Sequence, residues 1–259
     1  MSSSREETGT GTVSRALHLL RVIAEEGGCV TVKSASDRLG LAPSTTHRLL
    51  QLLRQDGFIE TLEQGQYSVG PQFLRVSSLI VSNSSIIARA QAAIQKTAHQ
   101  FNETVMFGLY LPTEGALSFE GRADGQQRLT YQIDLHKPTS LVWGASGKSV
   151  LAFLPQEVVE EVLEMETSSP AQGAPRPSLD ELNGELEIIR KQGWATSRSE
   201  KLPDARGIAA PIFGPAGVVG CICLTTPESR MDLANIEEFG KTVASHAMAL
   251  SHELGGRKA

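Results

Sequence analysis

The chain has 259 residues, enough for one large domain or two unequal ones with a buried core. Lys and Arg number 24 and Asp and Glu 29, a formal net charge of −5, and 40% of the residues are hydrophobic. This composition is typical of a globular protein and excludes a disordered chain. Three cysteines do not suit a disulfide framework, so the sequence favours a reducing, cytoplasmic location.

The sequence contains no evident targeting or membrane-spanning segment. Residues 1–12 are rich in Ser, Thr, Gly and Glu and are predicted to form a disordered tail; they also lack the basic start and apolar core of a signal peptide. The longest apolar stretch, 208–224, contains Pro211, Pro215 and three glycines. It therefore predicts two strands around a turn rather than a membrane helix, and no membrane partner is expected.

Residues 13–70 predict a winged helix-turn-helix domain. Apolar spacing and cap residues predict three helices, and β-prone pieces predict a hairpin, at about 14–26, 31–39, 43–55, 58–62 and 66–69. The turn at 40–43 is short enough to set the second and third helices at a steep angle. In this architecture the third helix enters the major groove of DNA.

The exposed face of the third helix is predicted from its spacing, with Leu49, Leu52 and Leu53 turned inward. Hydroxyl groups suit phosphates, and Arg and Gln side chains can form paired hydrogen bonds with base edges. A solvated polar face is the alternative, and the surrounding turn and hairpin favour DNA binding. The predicted DNA-binding residues are Lys33, Ser44, Thr45, Thr46, His47, Arg48, Gln51 and Gln64.

The charge of this domain is not the strong basic excess usual in nucleic-acid binders. Residues 1–70 contain seven Lys or Arg and eight Asp or Glu. Few phosphate contacts per subunit are therefore expected, and a homodimer or homotetramer reading two half-sites of double-stranded DNA is predicted. A helix-turn-helix used only for protein dimerisation remains an alternative.

Residues 71–85 predict a linker helix, and helical spacing continues to about 101. The remainder, 86–259, predicts a second domain of grouped strands flanked by helices, which makes the fold class α/β of the α+β type. Its predicted strands are 105–111, 116–120, 129–133, 194–197, 207–213 and 218–225. Its predicted helices are 151–166, 179–191 and 231–254.

Catalytic motifs are incomplete in the second domain. The segment 144–149 ends in Gly-Lys-Ser, but a phosphate loop needs glycine in place of Val142 and a nucleophile elbow needs glycine in place of Lys148. The helix start there remains a candidate anion site through its backbone N–H groups. No metal or cofactor is expected, and a small-molecule enzyme with an N-terminal interaction module is the alternative function.

Two further groups in this domain have simple interpretations. Cys221 and Cys223 share one face of a predicted strand with Thr225, so they either pack in the core or line a cavity. No histidine has metal-ligand spacing to them. Glu185, Glu187 and Lys191 are predicted to form a solvated helix face.

The chain resembles the IclR-type transcriptional regulators over about residues 13–254. The N-terminal motifs are Ser14-Arg15-Ala16-Leu17-x-Leu19-Leu20, the run from Leu41 to Leu50, Asp56-Gly57-Phe58 and Tyr67-Ser68-Val69-Gly70. The C-terminal motifs are the run from Ala145 to Leu154, Ile188-x-Arg190-x-x-Gly193-Trp194, Ser199-Glu200, the run from Gly207 to Ile212 and Pro227-x-x-Arg230. Each motif is weak alone, and their order and spacing carry the resemblance.

The resemblance implies a transcription factor, typically a repressor of a catabolic operon, with a recognition helix at 44–51 and a GAF-like domain that binds a small-molecule effector. It implies an effector site between the Gly147-Lys148 segment and the inner faces of the strands, with 129 and 131 on a covering strand. Carried over position by position, the effector-binding residues are Leu129, Tyr131, Trp143, Ser146, Gly147, Ser197, Cys221, Cys223 and Thr225.

One departure from the family pattern bears on the effector. Many members have Pro-Leu-His-Ala-Thr-Ala where this chain has Ser140-Leu141-Val142-Trp143-Gly144-Ala145. Trp143 is expected to occupy room beside the effector, and Ser197 stands at a position that is often acidic. Within the range of small organic acids and aromatic metabolites, an aromatic or otherwise apolar ligand is therefore favoured over a short polar acid.

Overall fold

The computed structural model describes residues 11–83 and 85–256, and the chain divides after Asn83 into two compact units. Most of the predicted tail, 1–12, lies outside the described residues, and Thr12 already belongs to the first helix. No helix in the described ranges combines the length and apolar character needed to cross a membrane.

The first unit is the predicted winged helix-turn-helix followed by one more helix. Its helices are α1 (Thr12–Glu25), α2 (Val32–Leu39), α3 (Pro43–Gln55) and α4 (Pro71–Asn83). Its strands β1 (Cys29–Thr31), β2 (Ile59–Thr61) and β3 (Gln66–Val69) form an antiparallel sheet in the order β1-β3-β2. The Thr31 hydroxyl accepts from the Ser34 N–H and starts α2, and Gly40 ends it in a left-handed conformation, which sets the turn into α3.

The inward face of α3 is rotated relative to the prediction, with Thr46 and Leu50 buried and Leu52 exposed. Leu49 and Leu50 are buried in the core of the first unit, whereas Leu52 is 41% exposed. Thr46 is also fully buried, and its hydroxyl donates to the carbonyl of Ala42. A side chain enclosed in this way cannot contact DNA, so Thr46 is removed from the predicted DNA-binding set.

The second unit is built on a six-stranded antiparallel sheet in the order β6-β5-β4-β9-β8-β7. The strands are β4 (Thr104–Leu111), β5 (Ala116–Ala123), β6 (Pro138–Ser140), β7 (Ala195–Arg198), β8 (Ala205–Gly214) and β9 (Gly217–Pro227). The helices are α5 (Ser85–Phe101), α6 (Gly144–Leu151), α7 (Gln156–Glu164), α8 (Leu179–Gln192) and α9 (Ile236–Glu253).

Each face of this sheet has its own core because successive side chains of a strand point to opposite sides. Ile222 and Leu224 pack with α5 and α9 on one face. Cys221 and Cys223 belong to the core on the other face, which α6, α7 and α8 cover. The apolar run 208–224 is therefore two strands around a turn, as predicted.

Three sequence predictions in this unit are wrong. Residues 129–133 form no strand, and the strand that pairs with the outer edge of β5, at Ala116–Ser118, is β6 at Pro138–Ser140. The helix predicted at 151–166 is divided between α6 and α7, and the one predicted from 231 begins at Ile236. The irregular chain between β5 and β6, residues 124–137, is here called the covering segment.

Candidate DNA-binding surface and ligand cavity

The predicted DNA-binding residues of the first unit lie on α3 and its neighbours. Ser44, His47 and Arg48 are exposed along α3, while Thr45 and Gln51 are half-buried. The start of α3 has no side-chain cap, which leaves its first turn suited to a phosphate. Lys33 on α2 and Gln64 in the turn between β2 and β3 are also exposed, so every predicted residue except Thr46 is accessible.

Ion pairs within the first unit determine which of its basic side chains are available to contact DNA. The Arg38 guanidinium lies 3.3 Å from carboxylate oxygens of both Glu25 and Glu26, and these ion pairs connect α2 to the end of α1. Among the described residues, Arg48 and Lys33 have no acidic partner. Arg48 is therefore the free cation at the centre of the exposed α3 face.

A cavity of about 490 Å³ opens on the α6 side of the second sheet. Strands β5, β8 and β9, the start of α6, the loop 199–204 and the covering segment surround it. The apolar lining includes Phe119, Ile133, Pro138, Pro170, Leu202 and Cys223, and the polar lining includes Ser146, Ser197, Glu200, Lys201 and Thr225. Volumes of this order are usual for small-molecule sites.

Four of the nine residues predicted to bind an effector line this cavity: Ser146, Ser197, Cys223 and Thr225. They come from three elements, α6, β7 and β9, which the sheet topology brings together. The alternation predicted for β9 holds at the cavity, because Cys223 and Thr225 reach it from the same face.

The structure places the other five residues elsewhere. Leu129 is 71% exposed on the covering segment, and the Tyr131 hydroxyl donates to the carbonyl of Pro203. Cys221 is fully buried in the core beside the cavity. A side chain at Gly147 would meet the carbonyl oxygen of Leu141 at 2.5 Å, so this glycine serves close packing of α6.

Trp143 is the most consequential of the five. It is buried in the core, and its indole N–H donates to the Glu166 carboxylate at 2.9 Å. It does not line the cavity, so this ring does not narrow it. An apolar ligand is favoured by the apolar residues that line the cavity and not by Trp143.

The first amides of α6 are already occupied by side chains. The Gly144 N–H donates to Glu200 at 2.8 Å and the Ala145 N–H donates to the Ser197 hydroxyl at 2.9 Å. Gly144 has a φ of +78°, and a side chain there would crowd the stem of Lys201. The sequence prediction of an anion at this helix start is therefore wrong for these two amides, because the protein supplies its own acceptors.

Glu200 also belongs to an ion cluster around the buried Lys148. The Lys148 ammonium is 3.0 Å from one Glu200 oxygen and 2.6 Å from Glu185 on α8. Burial alone lowers the pKa of Lys148, but the two carboxylates outweigh it and the net shift is upward. Glu185 is thus an ion-pair partner and not merely part of a solvated face, whereas Glu187 and Lys191 do pair on the surface.

Lys201 was missed by sequence reasoning, because it sits in a loop without periodic pattern. Its ammonium donates to the carbonyl of Ser140 at 2.8 Å, and its stem packs on Gly144. Burial lowers the pKa of Lys201 to about 8, although nearby thiol and carboxylate groups oppose the shift. The cavity therefore contains a cation that is weakly compensated and would be stabilised by an anion.

The two cysteines near the cavity are protected thiols. Burial raises the pKa of Cys223 to about 11 and raises that of Cys221 further. Thiolates are the reactive form, so neither group is poised as a nucleophile. Within the described ranges no group of three or more His, Cys, Asp or Glu side chains is arranged to hold a metal ion.

The covering segment is held by side chains rather than by strand pairing. Arg230, itself paired with Glu103, donates to the carbonyl of Leu129 at 3.2 Å. His136 Nδ1 lies 2.8 Å from the Glu120 carboxylate, which anchors the other end. The segment thereby closes one side of the cavity, although it forms no strand.

Both units match known sequence families. Residues 12–63 match the IclR helix-turn-helix domain, and residues 78–252 match the family described as bacterial transcriptional regulator IclR C-terminal.

Relatives and a solved structure extend the similarity over nearly the whole chain. It is 28% identical to the HTH-type transcriptional regulator BhcR of Paracoccus denitrificans, with 98% of this chain and 91% of the relative covered. It is 26% identical to the transcriptional repressor IclR of Escherichia coli, with coverage of 95% and 91%. The crystal structure of an IclR-type regulator from a Silicibacter species superposes with a TM-score of 0.85 at 24% identity, covering 95% of this chain and 97% of the other. The chain belongs to the IclR family of DNA-binding transcriptional regulators.

Proposed function

We propose that this regulator is a cytoplasmic repressor of a catabolic operon and that it responds to a small organic acid with an apolar body. Membership of a family of transcriptional regulators gives no support to the enzyme alternative or to a helix-turn-helix that serves dimerisation alone. The observation that carries the proposed effector class is the Lys201 ammonium in a cavity that also has apolar walls.

DNA contact is assigned to the exposed side of α3 and its flanks. Arg48 and His47 reach base edges, Ser44 and Thr45 contact phosphates with the start of α3, and Lys33 and Gln64 contact the flanking backbone. The near-neutral charge of residues 1–70 means that one subunit makes few phosphate contacts. A homodimer or homotetramer, with two half-sites engaged together, is therefore part of the proposal.

The effector is assigned to the 490 Å³ cavity, with its carboxylate against Lys201 and hydrogen bonds from the Ser197 and Thr225 hydroxyls. Phe119, Ile133 and Leu202 supply an apolar wall that a short polar acid would leave largely uncovered. Aromatic and branched monocarboxylic acids fit this combination. Such a ligand changes DNA binding only if the oligomer can place its DNA-binding units in two arrangements and the protein binds the ligand more tightly in one of them.

The screen that tests this proposal measures thermal unfolding of the purified protein with aromatic acids, branched acids, short keto acids and sugar acids. A ligand at one hundred times its Kd adds about 2.7 kcal/mol to the free energy of unfolding, which is a readily visible rise in Tm. We expect the aromatic and branched acids to give the largest shifts. Stabilisation by the short keto acids or the sugar acids alone would contradict the proposed apolar body.

Replacing Lys201 by methionine should weaken binding of the best acid from that screen about 10- to 150-fold, the loss expected for a charge-assisted hydrogen bond. Methionine keeps the volume of the stem that packs on Gly144. Lys137→Met is the matched control, since Lys137 also borders the cavity but is exposed and paired with Asp134. Titration calorimetry with both variants checks this, and equal losses in the two would refute a specific role for Lys201.

The affinity for the acid should also depend on pH through Lys201. Its pKa in the free protein is lowered to about 8 by burial, and a bound carboxylate favours the ammonium and raises that pKa. The affinity is then constant below about pH 8 and falls by up to about tenfold per pH unit above it. Calorimetry between about pH 7 and 9.5 checks the slope, which Lys201→Met should abolish.

A further inference from the structure

The hydroxyl of a buried wing residue reaches the exposed face of the recognition helix. Tyr67 lies on β3, the central strand of the small sheet, and this residue is 6% exposed in the core of the first unit. The Gln51 amide nitrogen lies 3.4 Å from the Tyr67 hydroxyl and 3.3 Å from Nε2 of His47. Tyr67 was not among the residues that the sequence marked for function.

This chain of contacts engages one end of the Gln51 amide twice. An amide nitrogen carries two hydrogens, so it can donate to the tyrosine oxygen and to the imidazole together. If the amide were turned over, its oxygen would accept from both groups instead. In either orientation only the other end stays free, so Gln51 cannot form the paired hydrogen bonds that read adenine while it holds these partners.

His47 is constrained in the same way. It lies one helical turn before Gln51, where side chains four residues apart meet on a helix. Its Nε2 is engaged by Gln51, so Nδ1 is the nitrogen left to contact DNA. The orientation of an exposed imidazole is thereby linked to a hydroxyl anchored in the core.

We propose that Tyr67 is a specificity-determining positioning residue, which fixes the side chain of His47 through Gln51 as α3 presents it to DNA. The inference rests on the proposed role of the α3 face in reading base edges. The ring of Tyr67 is part of the core in any case, and the inference concerns its hydroxyl alone.

The test selects bound duplexes from a random-sequence DNA library and compares base preferences of the wild type, Tyr67→Phe, His47→Ala and Gln51→Ala. The phenylalanine variant keeps the ring and removes only the hydroxyl. We expect the base preference of Tyr67→Phe to fall about two- to tenfold, which corresponds to the loss of one hydrogen bond, at the same base pairs that His47→Ala affects. The double variant Gln51→Ala/Tyr67→Phe should have the same base preference as Gln51→Ala alone.

Tyr110→Phe is the matched control, since it also removes one hydroxyl but lies on β4 of the second unit, outside the cavity lining. Its base preference should equal that of the wild type, and thermal melting verifies that each variant is folded. A wild-type preference in Tyr67→Phe, or a change at base pairs that His47→Ala leaves untouched, overturns the inference. If His47→Ala and Gln51→Ala also keep the wild-type preference, base reading by these residues fails as well, and the inference fails with it.

Discussion

Replacing Lys148 by methionine is expected to lower the free energy of unfolding by up to about 3–5 kcal/mol, the cost of removing one partner from a fully buried ion pair. This is an upper bound, because the side chains of its partners Glu185 and Glu200 are 50% and 19% exposed. Lys148 is buried, and its ammonium is 2.6 Å from Glu185 and 3.0 Å from Glu200. Without it, the carboxylate of Glu200, whose side chain is 19% exposed, loses its ion pair and keeps the hydrogen bond from the Gly144 N–H. Chemical denaturation followed by circular dichroism measures the change.

Two further variants separate this effect from the loss of any lysine. Lys191→Met removes an exposed ammonium paired with Glu187 on α8 and should cost at most about 1 kcal/mol. Adding Glu200→Gln to Lys148→Met should recover part of the loss, because the amide carries no charge to leave uncompensated. The prediction is wrong if Lys148→Met and Lys191→Met lower the free energy of unfolding equally. It is also wrong if adding Glu200→Gln to Lys148→Met lowers that free energy further, by as much as Glu200→Gln does alone.

The first unit and most strands of the second could be predicted because their signals are local. Thr31 and Gly40 mark the ends of α2 through cap geometry, and the apolar run 208–224 contains its own turn. Such features need no knowledge of distant chain. The contact of Tyr67 with Gln51 is different, because it joins residues 16 positions apart on two elements.

The failures have a common physical origin in tertiary context. Residues 129–133 alternate like a strand, but alternation alone does not supply a pairing partner, and the strand that pairs with the outer edge of β5, at Ala116–Ser118, is β6. The helix α6 begins with small residues of weak helix propensity and is stabilised by Glu200 and Ser197, more than 50 positions away. No pattern within 144–149 shows these partners.

The residues around the cavity could likewise be predicted only where the signal in the sequence is local. Cys223 and Thr225 were placed on one face from strand alternation alone, which is a local rule. Trp143 precedes α6 and was expected beside the ligand, but its indole N–H finds Glu166 and turns the ring into the core. Lys201, whose pKa burial lowers to about 8, follows Glu200 in a loop that carries no periodic signal.

Replacing Arg48 by alanine is expected to weaken specific DNA binding by about 1–3 kcal/mol for each half-site, the discrimination provided by one paired contact with guanine. Arg48 is exposed on α3, and no carboxylate of the described residues competes for its guanidinium. The measurement is fluorescence anisotropy of the protein on its best duplex from the random-library selection, repeated on duplexes with single base changes.

The variants Arg48→Lys and Arg54→Ala separate base reading from charge. Lysine keeps the charge but cannot reproduce the planar paired contact, so Arg48→Lys should lose most of the preference at one base pair while retaining the salt dependence of binding. Arg54 is exposed in the last turn of α3, outside the residues assigned to base edges, and we expect its guanidinium to contact phosphate. Arg54→Ala should therefore weaken binding to all duplexes alike, with a salt slope lower by about one. If Arg48→Ala instead behaves like Arg54→Ala, Arg48 contacts phosphate, and sequence reading has to reside in His47 and the other exposed residues of α3.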